Sequence, residues 1–250
     1  MTSGGGSSAF NPMSVSGMAA WWAARLETGF ANNDPVGTVV DQTGNGLTLT
    51  QATASKKPLY ATNVKNGLPA FVSDGVDDFL TGGNILNVGS GSLHFFFVAK
   101  LDSSSGVKNY FAKYSSGAAG QYSIYHQGAG SGNTRQLESY YMDGTGAYNA
   151  FSNSGIDTNW HLLEFVVDRS TNQTEIFRDG VSIGTAGGID AGTYNPTNRF
   201  LMFAGANGTD TGEQFFLQGK IAEMWCWQRV LTANERTTLR AGANELYAIY

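Results

Sequence analysis

Short apolar and aromatic runs, separated by clusters of Gly, Asn, Asp and Ser, recur from about Trp21 to Gln228. Segments punctuated in this way predict an all-β sandwich or barrel. In Trp160 to Asp168, "WHLLEFVVD", His161, Leu163, Phe165 and Val167 share one face, while Trp160, Leu162, Glu164, Val166 and Asp168 share the other. This reads as a strand with one apolar and one mixed face, with Glu164 and Asp168 on a solvated side. In the following "QTEIFRDGVSIGTA", Asp179-Gly180 lies between two β-prone stretches and suits the positive φ of a type I′ turn, so a hairpin is expected. Further strands are expected around Phe95 to Lys100, Tyr122 to His126, Phe200 to Ala204 and Lys220 to Gln228. In the last, Ile221, Glu223, Trp225 and Trp227 alternate with Ala222, Met224 and Cys226; a run apolar on both faces belongs in the middle of a layered structure.

One helix is expected, in "LTANERTTLRAGANELYAIY". Thr232 can cap its first turn, Glu235 three residues on completes a capping box, and Gly242 is a candidate break. No repeat and no Pro- or charge-rich stretch divides the chain, so residues 13–250 read as one domain behind a flexible Gly/Ser-rich arm, residues 1–12. The segments at 102–108, 115–120, 128–134, 143–155 and 205–212 are polar and read as loops, where recognition usually sits.

Composition narrows the class. Only 14% of the 250 residues are charged, against roughly 25% in ordinary soluble domains, so the polar surface is mainly Ser, Thr, Asn, Gln and Gly. Fifteen Lys and Arg stand against twenty Asp and Glu, a net charge of −5, with no basic cluster. That leaves no electrostatic footprint for a phosphate backbone, and nucleic acid is not an expected partner. Runs such as "HFFFVA" are too short to span a bilayer, so no membrane insertion is expected. The opening "MTSGGGSSAF" lacks the basic start and apolar stretch of a secretory signal. Cys226 is the sole cysteine, which excludes a disulfide scaffold; between two Trp residues it reads as a small buried hydrophobe.

Carboxylates are densest at Asp74, Asp77 and Asp78 in "DGVDDF", where they could begin a Ca2+ shell. Short Asp side chains also hold turn amides, and with no ligand-rich loop following, the turn reading is preferred and no cofactor is required. In "DQTGNG", Asp41 and Asn45 likewise read as turn residues. Tyr110, Lys113, Tyr122, Tyr125, His126 and Gln127, with Arg135 nearby, supply the residue types of a polysaccharide lyase, but without its arginine-rich strand. The better-supplied chemistry is recognition of sugars, whose apolar C–H faces stack on rings while their hydroxyls meet amides and carboxylates. Tyr125, His126, Tyr140 and Tyr141 are the expected ring residues, with Asn207 and Asp210 as loop partners for hydroxyls. Tyr140 and Tyr141 are adjacent on one expected strand, so at least one faces outward.

Three stretches resemble a known family. "GMAAWWAARLETGF" leading to "VVDQTGNGLTLTQATASKKPLY" is similar to its opening. "NGLPAFVSDGVDDFL" resembles its G-x-P-A-x-x-F-D-G-x-D-D-x-L stretch, with Ser73 where Phe is usual. "GKIAEMWCWQRVLTANERTTL" looks like its closing strand and helix. The family is the concanavalin A-like lectin/glucanase, or laminin-G-like, jelly-roll superfamily, and the stretches frame the chain from about Phe10 to Tyr247. The resemblance implies an all-β antiparallel jelly-roll sandwich with one short C-terminal helix, and glycan recognition on a concave face or edge loops. The glucanase branch carries an E-x-D-x-E pattern that is absent here, so no catalytic residue is assigned.

Members of the family without a signal peptide often occur as bacteriophage virion proteins. The expectation is therefore a non-catalytic adhesive module on a virion, contacting host surface glycans and joined to virion structural proteins through its N-terminal arm. Low charge and abundant small polar residues also suit a homo-oligomer. The alternatives are a purely structural decoration protein without ligand, and a polysaccharide hydrolase or lyase.

Overall fold

Alternate residues of each long strand point into one shared interior, and two antiparallel sheets close over it. The computed structural model describes residues 10–115, 119–128, 136–155 and 157–250. Among the described residues, one sheet has nine strands, with Val181–Gly187, Gln173–Arg178, Trp160–Asp168, Leu93–Leu101, Gln218–Trp227, Leu68–Asp74, Leu59–Lys65 and Asp34–Pro35 in that order. Met18–Ala23 also pairs with Gln218–Trp227. The second sheet has eight, in the order Ala147–Gly155, Gln136–Met142, Gln121–Gln127, Lys108–Lys113, Phe200–Met202, Leu80–Gly83, Leu49–Thr50 and Thr38–Val39. The chain passes back and forth between the two: Leu68–Asp74 and Leu93–Leu101 lie in the first, Leu80–Gly83 and Lys108–Lys113 in the second. This is the jelly-roll sandwich of the strand pattern, closed by the α-helix Ala233–Tyr247. No helix among the described residues is long and apolar enough to cross a membrane.

Aromatic rings hold the sheets together. Phe95 lies 4.6 Å from Phe111 and 5.7 Å from Tyr122 on the facing sheet, with Phe165 and Phe200 at 6.3 Å. The expected hairpin forms with Asp179 at φ 53° and Gly180 at φ 82°, the double positive φ of a type I′ turn. Residues 143–155 depart from the loop reading. Ala147–Gly155 is a strand on the sheet edge, because Tyr148, Ala150 and Ser152 turn inward at every second position. Asp41 accepts from the Trp21 and Leu47 amides at 3.1 Å and Asn45 donates to the Ala19 carbonyl, so this turn is tied to the first strand.

The outer face of the nine-stranded sheet is buried at its centre as well. Leu239, Ala243 and Tyr247 of the helix cover Phe96, Leu162, Trp225 and Trp227. Strand Gln218–Trp227 carries a bulge between Ile221 and Glu223. The bulge shifts the simple alternation, so that Ile221 faces the inter-sheet core with Met224 and Cys226, while Ala222 joins the Trp residues beneath the helix. Gly242 does not break the helix: a Cβ there would come within 2.0 Å of the Phe10 ring, which packs edge-on against Trp225. Phe10 and buried Pro12, at the end of the expected arm, are therefore held by the domain, while residues 1–9 lie outside the described residues.

Glu164 corrects the solvated-face reading, since it is fully buried. Arg240 donates to its two oxygens at 2.6 and 3.0 Å, Arg236 donates at 3.3 Å, and His94 lies at 3.5 Å. Those partners come from the docked helix and the neighbouring strand, which strand periodicity does not reveal. Asp168 instead accepts from Ser170 in the turn that ends the strand.

Burial alone would raise the Glu164 pKa, but hydrogen bonds and charge from His94 and Arg240 hold it below the usual 4.5. A depressed carboxylate stabilises the fold above its unfolded pKa, and that contribution is lost as pH falls through the folded value. Glu164→Gln should cost on the order of 3 kcal/mol in urea unfolding at pH 7, by breaking a buried charge pair. The gap from the parent should shrink as the pH drops below 4.5. Equal midpoints for the two chains at pH 7 would count against this role.

Candidate functional site

Tyr122, Ile124, Leu137 and Tyr141 point into the core, so their strand neighbours Ser123, Tyr125, Glu138 and Tyr140 lie on the opposite face of the eight-stranded sheet. Register sets these outward residues side by side. Tyr125 lies opposite Glu138 and Asn109, Ser123 opposite Tyr140 and Ala112, and Phe151 opposite Glu138. After Phe200–Met202 the chain leaves the sheet and doubles back as the short hairpin Gly205–Ala206 with Glu213–Gln214. The Asn109 amide donates to the Phe215 carbonyl at 2.8 Å, binding the hairpin's return to the sheet. Leu201, Ala204, Ala206 and Phe79 form a small apolar cluster on this side of the sheet.

Sheet and hairpin together enclose a cleft of about 240 Å3. Tyr114, Tyr125, Tyr140 and Phe215 supply its rings, and Tyr114 meets Tyr140 edge-on with centroids 5.7 Å apart. Asn109, Ser123, Gln127 and Gln214 supply its amides and hydroxyl. Gly205 is required by close approach, because a Cβ would lie 2.6 Å from the Asn109 amide nitrogen. Phe215 is 43% exposed with φ at 57°, a left-handed backbone that is costly for a bulky residue. Among the described residues no Lys, Arg or His lines the cleft. Burial and a hydrogen bond to Glu138 raise the Tyr125 pKa, which keeps its hydroxyl neutral. The Glu138 carboxylate is raised by its own burial, partly offset by that same bond.

Of the sequence-predicted ring residues, Tyr125 and Tyr140 line the cleft. His126 and Tyr141, each one residue further along its strand, face the other way. His126 is fully buried with Nε2 3.2 Å from the Ser104 carbonyl, and Tyr141 is buried with its hydroxyl accepting from Arg169. Asn207 and Asp210 sit in the hairpin's connecting loop with their polar atoms engaged. Asn207 Oδ1 accepts from the Thr209 and Thr211 amides, and Asp210 pairs with Arg199 at 3.1 Å. The lyase set does not converge: Tyr110 and Tyr122 belong to the core, and buried Lys113 donates to Asn84 and to the Asn198 carbonyl. Burial pulls the Lys113 pKa down to about 8, and Arg135 lies outside the described residues. Sequence reading missed Asn109, Tyr114, Gln214 and Phe215. Adjacent rings in "EQFFLQ" were the one available signal, without periodicity to show which faced out.

The model of the concanavalin A-like lectin/glucanases superfamily matches residues 73–235. Domain 4 of AbnA, a GH43 extracellular arabinanase from Geobacillus stearothermophilus solved with arabinotriose, superposes with a TM-score of 0.60 at 15% identity, over 92% of this chain and 98% of that one. The binding domain of Paraclostridial Mosquitocidal Protein 1 gives a TM-score of 0.63 at 11% identity, over 92% of this chain and 52% of that one. The CBM40 of a Ruminococcus gnavus IT-sialidase, bound to α2,3 sialyllactose, gives 0.47 at 14% identity, over 65% and 83%. No curated protein matches the chain in sequence. At these identities the solved structures speak to the fold alone.

Away from the cleft, Asp74, Asp77 and Asp78 bring carboxylate oxygens within 4.8 Å of one another. Asp78 accepts from the Asp74 amide at 3.1 Å and Asp74 from the Val76 amide at 2.8 Å, so two of them hold the turn between strands. Burial, with the nearby Asp74 and Asp77 charges, pushes Asp78 up to about 6. With the folded pKa above the unfolded 3.8, stability is full in acid and is lost as pH rises from 3.8 through about 6. Asp78→Asn, which keeps an acceptor for the Asp74 amide, should raise the urea midpoint at pH 8 and leave it nearly unchanged near pH 4. A lowered midpoint at pH 8 would contradict this assignment.

Proposed function

The chain belongs to the concanavalin A-like lectin/glucanase superfamily, and from that premise we propose that it is a non-catalytic carbohydrate-binding module that holds a glycan in the cleft of the eight-stranded sheet. One observation carries this reading: four rings and four amide or hydroxyl side chains converge in one cleft whose geometry is set by strand register. Rings offer flat surfaces to sugar C–H faces, and Asn and Gln amides both donate to and accept from hydroxyls. The cleft is smaller than the roughly 300–1,000 Å3 of sites that engulf a drug-sized ligand, which suits contact with one part of a longer glycan. The fold shared with an arabinanase domain solved with arabinotriose supports the reading.

Chemistry favours binding over cleavage. Glycoside hydrolysis needs two carboxyl groups flanking the bond, roughly 5–9.5 Å apart. Among the described residues the cleft lining holds no carboxylate; Glu138 lies opposite Tyr125, and Glu213, opposite Ala206, is paired with Arg199. In the same proposal the module sits on a bacteriophage particle and meets host surface glycans, with its N-terminal arm on virion structural proteins and copies of the chain in contact. That part rests on the sequence resemblance, and the contact between copies on low charge and abundant small polar residues.

A glycan array probed with the purified chain tests the main claim. Tyr125→Ala and Tyr140→Ala should each weaken the strongest signal roughly tenfold, equivalent to about 1.4 kcal/mol. Val76→Ala, at a 70% exposed residue that does not line the cleft, should leave it unchanged. Unaltered binding by both tyrosine variants, or release of reducing ends or unsaturated uronates from polysaccharide, would reject the proposal.

A further inference from the structure

Glu138, next to the cleft lining, is a residue that the fold leaves unfinished. It sits on the outward face between Tyr125 and Phe151 in register, yet only 2% of it is exposed. Register sets Tyr125 beside it, and its buried oxygen Oε2 has no hydrogen-bond partner among the described residues. The contrast with the other buried outward-facing carboxylates is sharp. Glu164 is met by Arg236 and Arg240. Glu223 is met by Arg25, by the Trp21 and Trp225 indoles and by the Tyr247 hydroxyl. A buried carboxylate left with an open oxygen is costly unless something else completes it.

The open groups nearby have the same character. Asn109 Oδ1, in the cleft lining and opposite Tyr125 in register, is a buried acceptor without a donor. Asn149 Oδ1, on the residue opposite Tyr140, is another. The unmet demand around the cleft is thus for hydrogen-bond donors. A sugar carboxylate or sulfate brings acceptors and negative charge, whereas a neutral sugar brings a hydroxyl hydrogen for every acceptor. Discrimination follows from what the site leaves unpaired or repels as much as from what it attracts.

We infer that the cleft selects uncharged sugars over sialylated, uronic or sulfated ones, and that Glu138, beside Tyr125, is the specificity-determining residue that opposes anionic ligands. This inference rests on the glycan-binding reading. Glu138→Gln preserves the shape and removes the charge, so it separates the electrostatic role from a packing role.

The test uses the full chain on an array that pairs neutral oligosaccharides with their sialylated, uronylated and sulfated counterparts. The unaltered chain should bind the neutral members with at least about tenfold preference. Glu138→Gln should narrow that ratio roughly tenfold, and Tyr140→Ala should lower both classes together. A preference for acidic members that Tyr140→Ala abolishes would overturn this inference while leaving the glycan-binding reading in place. An unchanged ratio in a folded Glu138→Gln chain, judged by circular dichroism, would also overturn it. Where that variant does not fold, the ratio of the unaltered chain decides alone. Absence of binding to either class would overturn the glycan-binding reading and this inference with it.

Discussion

The stacking of phenylalanine and tyrosine rings between the two sheets is the constraint on which the rest depends. Phe95, Phe111, Tyr122, Phe165 and Phe200 fill the gap with centroids 4.6–6.4 Å apart, and each is fully buried. Strand side chains alternate, so pinning Tyr122, Ile124 and Tyr141 inward forces Ser123, Tyr125 and Tyr140 outward. A slip of one residue would reverse both sets. The cleft is in this sense a by-product of the core: its floor is the other side of residues chosen for packing.

The nine-stranded sheet uses its outer face differently. There the helix, Phe10 and the paired Trp residues exclude water, and the carboxylates in that layer are neutralised by arginines brought from elsewhere in the chain. Such pairs contribute little net stability compared with apolar residues, but removing one partner is expensive, so they act as conditions for docking the helix in one place. The eight-stranded sheet keeps part of its outer face open, covering only Leu201 and its neighbours with the small hairpin. One sheet face closes the domain while the other keeps an open cleft.

Membership of a large superfamily fixes the architecture without fixing the ligand, because one sandwich can carry many unrelated surfaces. What bears on a ligand in this chain is the content of the cleft and its surroundings: rings and amides, a hairpin wall with Phe215 in a left-handed conformation, and beside them a buried carboxylate with an unpartnered oxygen. These features are local chemistry on a shared scaffold, and the functional reading depends on them.

The strand from Trp160 to Asp168, the Asp179-Gly180 turn and the Thr232–Glu235 capping box were all legible in the chain itself. Each is set by neighbours within a few residues, through side-chain alternation, the positive φ of the turn and hydrogen bonds to the first helical amides. The two adjacent tyrosines at 140 and 141 could also be assigned to opposite faces, since strand geometry demands it, but not which of them met solvent. Only tertiary structure decided that Tyr140 lies outside and Tyr141 inside, that Glu164 lies beneath the helix, and that Gly242 makes room for Phe10. The cleft itself joins residues from Val107 to Phe215. Contacts between segments so far apart are set by how the sheets pack and where the hairpin returns, and no local period along the chain records either.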